Sequence, residues 1–210
     1  MVNIAVVDYG VGNLHSACKA LEKTGAIPEI TDSPLKIAEA EAVVLPGVGA
    51  FDSAMIHLRE RNLESVVKSA IASGKPFLGI CVGFQMLFDS SEEGIEPGLG
   101  VIPGKIKHFQ YEPNITIPHM GWNQLDLIQQ KHPLWIDLSY NPYVYFVHSY
   151  YAELSDRSFC AATVTHGSQT VTAAIAKDNL MGVQFHPEKS ADNGLKILSN
   201  FVSFVETVVS

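Results

Sequence analysis

Apolar residues appear in the first half of this chain as short unbroken runs separated by helical spacing, and in the second half as β-rich stretches separated by turn residues. Ile4–Val7 and Ala42–Leu45 are continuous apolar runs of the kind a strand buried on both faces requires, and Pro76–Leu78 leads into a third that ends at Cys81. A further strand is expected at Ile27–Thr31. Between them, Leu14, Ala17, Cys18 and Leu21 keep helical spacing, with Asn13 as a capping residue and Gly25 as a stop. Shorter helical segments are expected near Leu35–Ala40, after a cap at Asp52 or Ser53, at Leu63–Ala72 and at Phe84–Phe88. Strands alternating with helices at this spacing predict an α/β fold with a doubly wound, mostly parallel sheet. Beyond Ser91 the character changes. Glu93–Gly104 holds four glycines and two prolines and reads as loop, followed by β-rich runs at 115–122, 143–150, 159–164, 171–176 and 181–186. These predict hairpins added to the sheet. Leu195, Leu198, Phe201, Val202 and Val205 form the apolar face of a closing helix.

Composition narrows the class. The chain has 210 residues, 47% apolar and 17% charged, which excludes disorder and fits one domain spanning residues 1–210. No apolar run is long enough to cross a bilayer, and Met1–Val7 has neither the basic flank nor the cleavage site of a signal peptide. A net charge of −8 with scattered Lys and Arg leaves no footprint for nucleic acid. Three widely spaced cysteines argue against a disulfide framework and for a reducing compartment, the cytoplasm.

The candidate chemistry begins at Gly79-Ile80-Cys81-Val82-Gly83. Gly-x-nucleophile-x-Gly between a strand and a helix is the pattern of a nucleophile elbow, in which small flanking residues let strand and helix approach around a strained turn. A thiol at the first helical turn also faces free backbone N–H groups, which favour thiolate. A buried structural cysteine fits the same five residues, so a base is needed elsewhere. Among eight histidines, His186 ends the apolar stretch Gly182–Phe185 and precedes Pro187 and Glu188. Proline drives His186 to an extended backbone, and residues two apart in an extended segment share a side, so Glu188 can orient the His186 ring. Cys81, His186 and Glu188 then make a triad. Two glycines around Val48 in Pro46-Gly47-Val48-Gly49 stand at the carboxyl end of a strand, as a ligand-approaching loop or a plain β-to-α turn. Gly10-Val11-Gly12 lacks the third glycine of a dinucleotide fingerprint, where His15 stands, and no phosphate loop is present. No Cys/His spacing suits a metal.

Gly79–Gln85 and Gly182–Glu188 resemble the corresponding segments of the class I, or triad, glutamine amidotransferases, with Pro46–Gly49 matching their oxyanion loop. The likeness is nearest to the glutaminase subunits of imidazole glycerol phosphate synthases, carried by Asp8–Leu14, Pro118–Asn123, Tyr145–Tyr150 and His186–Ser190. It implies a flavodoxin-like sheet and hydrolysis of glutamine to glutamate and ammonia, with Cys81 attacking and His186 moving the proton. It further implies an oxyanion site at the backbone N–H groups of Val48 and Val82, and contacts to glutamine from Gly49, Gln85, Glu93, His148, Ser149 and Tyr150. Asn13, Trp122 and Lys189 match positions facing a β/α-barrel cyclase partner in a heterodimer that serves histidine biosynthesis, with no cofactor. Val82 and Phe84 replace residues often Leu and Met in that family, and Cys160–Gln169 departs from its usual acidic residue, Tyr-Gly turn and Phe. A paralogous glutaminase feeding another synthase, such as a sugar-aminating enzyme, shares the triad. A thiol hydrolase on a related fold fits the triad too, and the fold with its docking face would equally suit a non-catalytic interaction subunit.

Overall fold

In the computed structural model, which describes residues 1–113 and 115–209, the first half folds as the alternation predicts. It runs β1 (Asn3–Val7), α1 (Leu14–Lys23), β2 (Ile27–Thr31), α2 (Pro34–Glu39), β3 (Ala42–Gly47), α3 (Phe51–Glu60), α4 (Glu64–Ala72), β4 (Phe77–Cys81) and a single turn, α5 (Val82–Gln85). The second half supplies β5 (Phe88–Ser91), β6 (Ile102–His108), β7 (His119–Gln124), β8 (Asp126–Leu127), β9 (Tyr143–His148), β10 (Tyr150–Leu154), β11 (Cys160–His166), β12 (Gln169–Lys177), β13 (Leu180–Val183) and α6 (Ala191–Val209).

The main sheet has the order β2-β1-β3-β4-β13-β12-β10-β6-β5, with β11 and β8 attached beside β12. Its first five strands are parallel, and the order 2-1-3-4 completed by β13 is that of a doubly wound sheet. The fifth parallel strand thus comes from far along the chain. From β12 outward the pairing turns antiparallel, except between β5 and β6. The register pairs Gly47 with Cys81 and Ile80 with Val183, so the carboxyl ends of β3, β4 and β13 lie side by side. That edge is where open parallel sheets place their sites.

Both faces of the central strands are covered, and Val43, Val44, Leu45, Leu78 and Ile80 are buried in one continuous apolar cluster. Cys18 belongs to the same core, as its helical spacing suggests. Leu198, Phe201, Val202 and Val205 of α6 are buried and Leu195 is half-buried against them. No helix among the described residues is long and apolar enough to cross a membrane.

Several boundaries differ from the sequence expectation. The helix expected at Phe84–Phe88 is only the turn Val82–Gln85, because β6 and its approach capture the following backbone: Leu99 N–H donates to Met86 O, and Val101 and Ile102 N–H both donate to Leu87 O. Phe88–Ser91 becomes an edge strand. Asn13 starts α1 but its side chain makes no cap bond. Neither Asp52 nor Ser53 caps α3; Glu93 Oε2 accepts from Phe51 N–H at 2.8 Å, while Asp52 accepts from Ile95 and Glu96 N–H. The expected loop 93–104 ends early, since Ile102–Gly104 opens β6. The run 143–150 breaks at Ser149, so that β9 pairs with β7 in a separate two-stranded ribbon while β10 joins the main sheet.

Candidate active site

Cys81 ends β4 with φ 55° and ψ −111°, a backbone conformation that costs a non-glycine residue about 1–3 kcal/mol. The surroundings hold it there. A Cβ on Gly83 would lie 1.9 Å from Leu45 O, and one on Gly79 would lie 2.9 Å from both Gly83 O and Phe84 Cα. Strand and turn therefore touch backbone to backbone on both sides of the thiol, as the elbow pattern requires. The helix that follows the thiol is a single turn, Val82–Gln85, whereas a longer one was expected.

His186 follows β13 with an extended backbone, φ −100° and ψ 98°. Its Nδ1 is 2.7 Å from Glu188 Oε1, and both side chains are buried. The pairing is as predicted but its geometry is not: Pro187–Lys189 is a 3-10 turn, so Glu188 curls back to the ring instead of projecting along a strand. The backbone of His186 is also pinned to β9. Tyr145 O accepts its N–H at 3.0 Å, and Ser190 Oγ donates to His186 O at 2.6 Å while accepting from Tyr145 N–H. Burial lowers the pKa of the His186 ring, but its hydrogen bonds with Cys81 and Glu188, and the charge on each, outweigh burial and raise it to about 10. The ring is thus held as imidazolium between a sulfur and a carboxylate. Glu188 Oε2 is buried without a hydrogen-bond partner among the described residues, while Oε1 faces the His186 ring.

These groups open onto a cavity of about 410 Å³, in the range of small-molecule sites. Its lining includes Cys81, Val82 and His186 together with Val48, Gly49, Gln85, Glu93, His148, Ser149, Tyr150 and Lys189. Every residue expected to touch glutamine is therefore in one cavity. Val48 and Gly49 are exposed, and Gly49 has φ 92°, a left-handed conformation that glycine adopts without strain. Glu93 does double duty, lining the cavity while its Oε2 holds the end of the Val48 loop at Phe51. Asn13 and Trp122 lie outside the cavity; Asn13 is exposed, and Trp122, half exposed, packs edge-on against Tyr145 of β9. A second cavity of about 520 Å³ along β10, β11 and β12, which includes Arg157 and Cys160, contains none of the expected site residues.

The site contains groups to which the sequence pattern assigns no role. Gln184, fully buried, accepts from Gln85 Nε2 at 3.0 Å and brings its own Nε2 to 4.0 Å from Cys81 Sγ. Tyr9 Oη donates to Pro46 O at 2.8 Å beneath the Val48 loop, and burial, then the charge of Cys81, push its phenol well above the usual range. His119 bonds to His148. All three stand in segments that carry the family likeness, but their partners are dozens of residues away. No group of three or more His, Cys, Asp or Glu among the described residues is placed to hold a metal ion.

A buried thiol on a strained turn and a charged imidazole against it, both opening on one cavity, with a carboxylate behind the ring, constitute the chemistry of acyl transfer through a thioester. The family model described as "Glutamine amidotransferase class-I" matches residues 5–204. The chain belongs to the class I glutamine amidotransferases. Within that family it is 68% identical over 203 residues to "Imidazole glycerol phosphate synthase subunit HisH" of Gloeothece citriformis, covering 97% of this chain and 96% of the relative. It is 65% identical to the protein of the same name from Microcystis aeruginosa, covering 98% and 97%. Among solved structures, a putative GMP synthase protein from Thermoplasma acidophilum matches with TM-score 0.74 at 20% identity, over 100% of this chain and 96% of that one. PurLQS from Thermotoga maritima matches with TM-score 0.75 at 21% identity, over 97% and 99%. At such identities these two speak for the fold of this amidotransferase, a mostly parallel α/β sheet.

Proposed function

We propose that this chain is the glutaminase subunit of an imidazole glycerol phosphate synthase, hydrolysing glutamine and passing ammonia to a cyclase subunit in histidine biosynthesis. The observation that carries the chemistry is the convergence of Cys81 and His186, more than a hundred residues apart in the chain, on one cavity, with Glu188 against the His186 ring. The pathway assignment draws on relatives named for that synthase, which align over nearly the whole chain.

In this reading the Cys81 thiolate attacks the side-chain carboxamide carbon of glutamine. The tetrahedral oxyanion accepts from the backbone N–H groups of Val82 and Val48, two donors aimed at charge that develops only in the transition state. The C–N bond then breaks, the leaving nitrogen takes the proton of the His186 imidazolium, and ammonia departs from a thioester. Neutral His186 next accepts a proton from water, which attacks the thioester and releases glutamate and the thiolate. Glu188 keeps the Nδ1 proton in place throughout, so that Nε2 does the exchanging. Glu93, Gln85 and the 148–150 backbone hold the amino-acid end of the substrate.

Residues 1–210 act as one domain in the cytoplasm. The partner is a β/α-barrel cyclase in a one-to-one heterodimer, docked through Asn13, Trp122 and Lys189, each of which is exposed. Cys81→Ala tests the reading. In complex with the cyclase it is expected to lose glutamine-dependent synthesis by about 10³-fold or more while keeping ammonium-dependent synthesis; retained glutaminase turnover would refute the nucleophile assignment.

A further inference from the structure

We propose that His119, which is not among the residues lining the site cavity, is a positioning residue for the glutamine site, acting through His148 and the Tyr150 carbonyl on Gln85; this deepens the glutaminase reading and rests on it. The observation is a hydrogen-bond chain in which each atom has one possible role. Tyr150 O can only accept, so His148 Nδ1, 2.7 Å away, carries a proton. Burial, ahead of the charges of its neighbours, pulls the His148 pKa down to about 3, so the ring is neutral and its Nε2 is an acceptor. His119 Nδ1, 3.1 Å from that nitrogen, is therefore the donor. His119 is itself neutral, its pKa lowered to about 4 by burial and then by His166, so its Nε2 accepts from Asn123 Nδ2 at 3.0 Å. Asn123 is fixed independently, because Nδ2 also donates to Thr165 O and Oδ1 accepts from Gln124 N–H.

The other end of the chain reaches the substrate cavity. Tyr150 O accepts a second hydrogen bond from Gln85 Nε2 at 3.2 Å, and the same nitrogen donates to Gln184 Oε1. Both N–H bonds of the Gln85 amide are then used within the protein. Its Oε1 is left to the cavity as an acceptor, suited to an ammonium or carboxamide N–H of glutamine. If the Tyr150 carbonyl turned away, the Gln85 amide would lose the bond that sets its orientation. The His119 ring is held flat between Phe146 and His166, with centroids at 4.7 and 4.3 Å, so its donor nitrogen has a fixed direction.

His119→Phe preserves the stacked ring and removes both hydrogen bonds, whereas His119→Asn keeps a donor near the Nδ1 position. In the assembled complex, His119→Phe should raise the KM for glutamine about 5- to 10-fold, the scale of one hydrogen bond lost beside a buried unpaired acceptor, with kcat within about twofold. His119→Asn should recover most of that loss, and both should leave ammonium-dependent synthesis unchanged. Nitrogen-15 spectra, assigned by difference against His119→Phe, should show neutral His119 and His148 in the Nδ1–H form. An unchanged KM in His119→Phe, a parallel fall of glutamine- and ammonium-dependent activity, or Nε2–H rings would overturn the proposal. Wild-type complex that turns over no glutamine would overturn it together with the functional reading; active wild type with an unaffected His119→Phe would overturn this inference alone.

Discussion

Cys81 at φ 55° occupies a conformation that few side chains adopt, and packing on both sides keeps it there. The sulfur faces two different partners: the His186 ring, to which it hydrogen-bonds, and an amide, Gln184 Nε2, at 4.0 Å. Because Gln184 Oε1 is committed to Gln85, the amide cannot turn its oxygen to the sulfur without leaving Gln85 Nε2 short of an acceptor. Gln184→Met keeps the volume and removes both bonds. It is expected to lower kcat/KM for glutamine by about 10- to 100-fold, with ammonium-dependent synthesis intact, in steady-state assays of the complex. An unaltered kcat/KM would make Gln184 a packing residue only. At this scale Cys81, His186 and Glu188 were legible, because each stands in a local pattern whose geometry follows from its neighbours. Gln184 and His119 received no role: both stand in segments that carry the family likeness, but no local pattern assigns their side chains a partner. Their partners, Gln85 and His148, are 99 and 29 residues away.

The strand–turn unit of β4 and α5 shows what the elbow glycines are for. Gly83 packs its α-carbon on the carbonyl of Leu45 in the neighbouring strand β3, where a methyl group would overlap the oxygen at 1.9 Å. Neither backbone can yield without disturbing the Gly47–Cys81 register. Gly83→Ala is therefore expected to destabilise the fold by about 3 kcal/mol or more, at the upper end of overpacking effects, and to lower the thermal midpoint measurably. A midpoint equal to wild type would show that β3 and α5 are free to separate. Strands β1, β3 and β4 were legible because apolar runs buried on both faces look alike wherever they occur. The helix after Cys81 was not, because Met86 and Leu87 surrender their carbonyls to Leu99, Val101 and Ile102, a pairing no local spacing announces. The caps failed for a related reason. Glu93 caps α3 from 42 residues away, and the nearby Asp52 is used elsewhere.

Over the whole molecule, three histidines near the site make opposing contributions to stability as pH changes. His119 and His148 have folded pKa values near 4 and 3, below the unfolded value of 6.5, so they contribute fully above 6.5 and lose that contribution as pH falls through their folded values. His186 is raised to about 10 and contributes fully below 6.5, with loss as pH climbs through about 10. Cys18, raised to about 11 first by burial and then by Glu22, acts in the same alkaline direction from its unfolded value of 9.0. Thermal denaturation across pH should find these contributions jointly largest near pH 6.5 and declining on both sides. A midpoint that climbs steadily from pH 6.5 to about 10 would contradict the sign assigned to His186. The sequence by itself determined the alternation of strands and helices, the elbow around Cys81, the His186–Glu188 pair and, through family likeness, the cavity residues. Those features rest on periodicity, steric demands of neighbouring residues and short motifs. Only the tertiary structure decided that β13 completes the parallel sheet beside β4, that β9 pins His186 through Tyr145 and Ser190, and that His119 reaches Gln85 through His148. Such contacts depend on which distant segments pack together, and a buried donor or acceptor takes whatever partner that packing brings within reach.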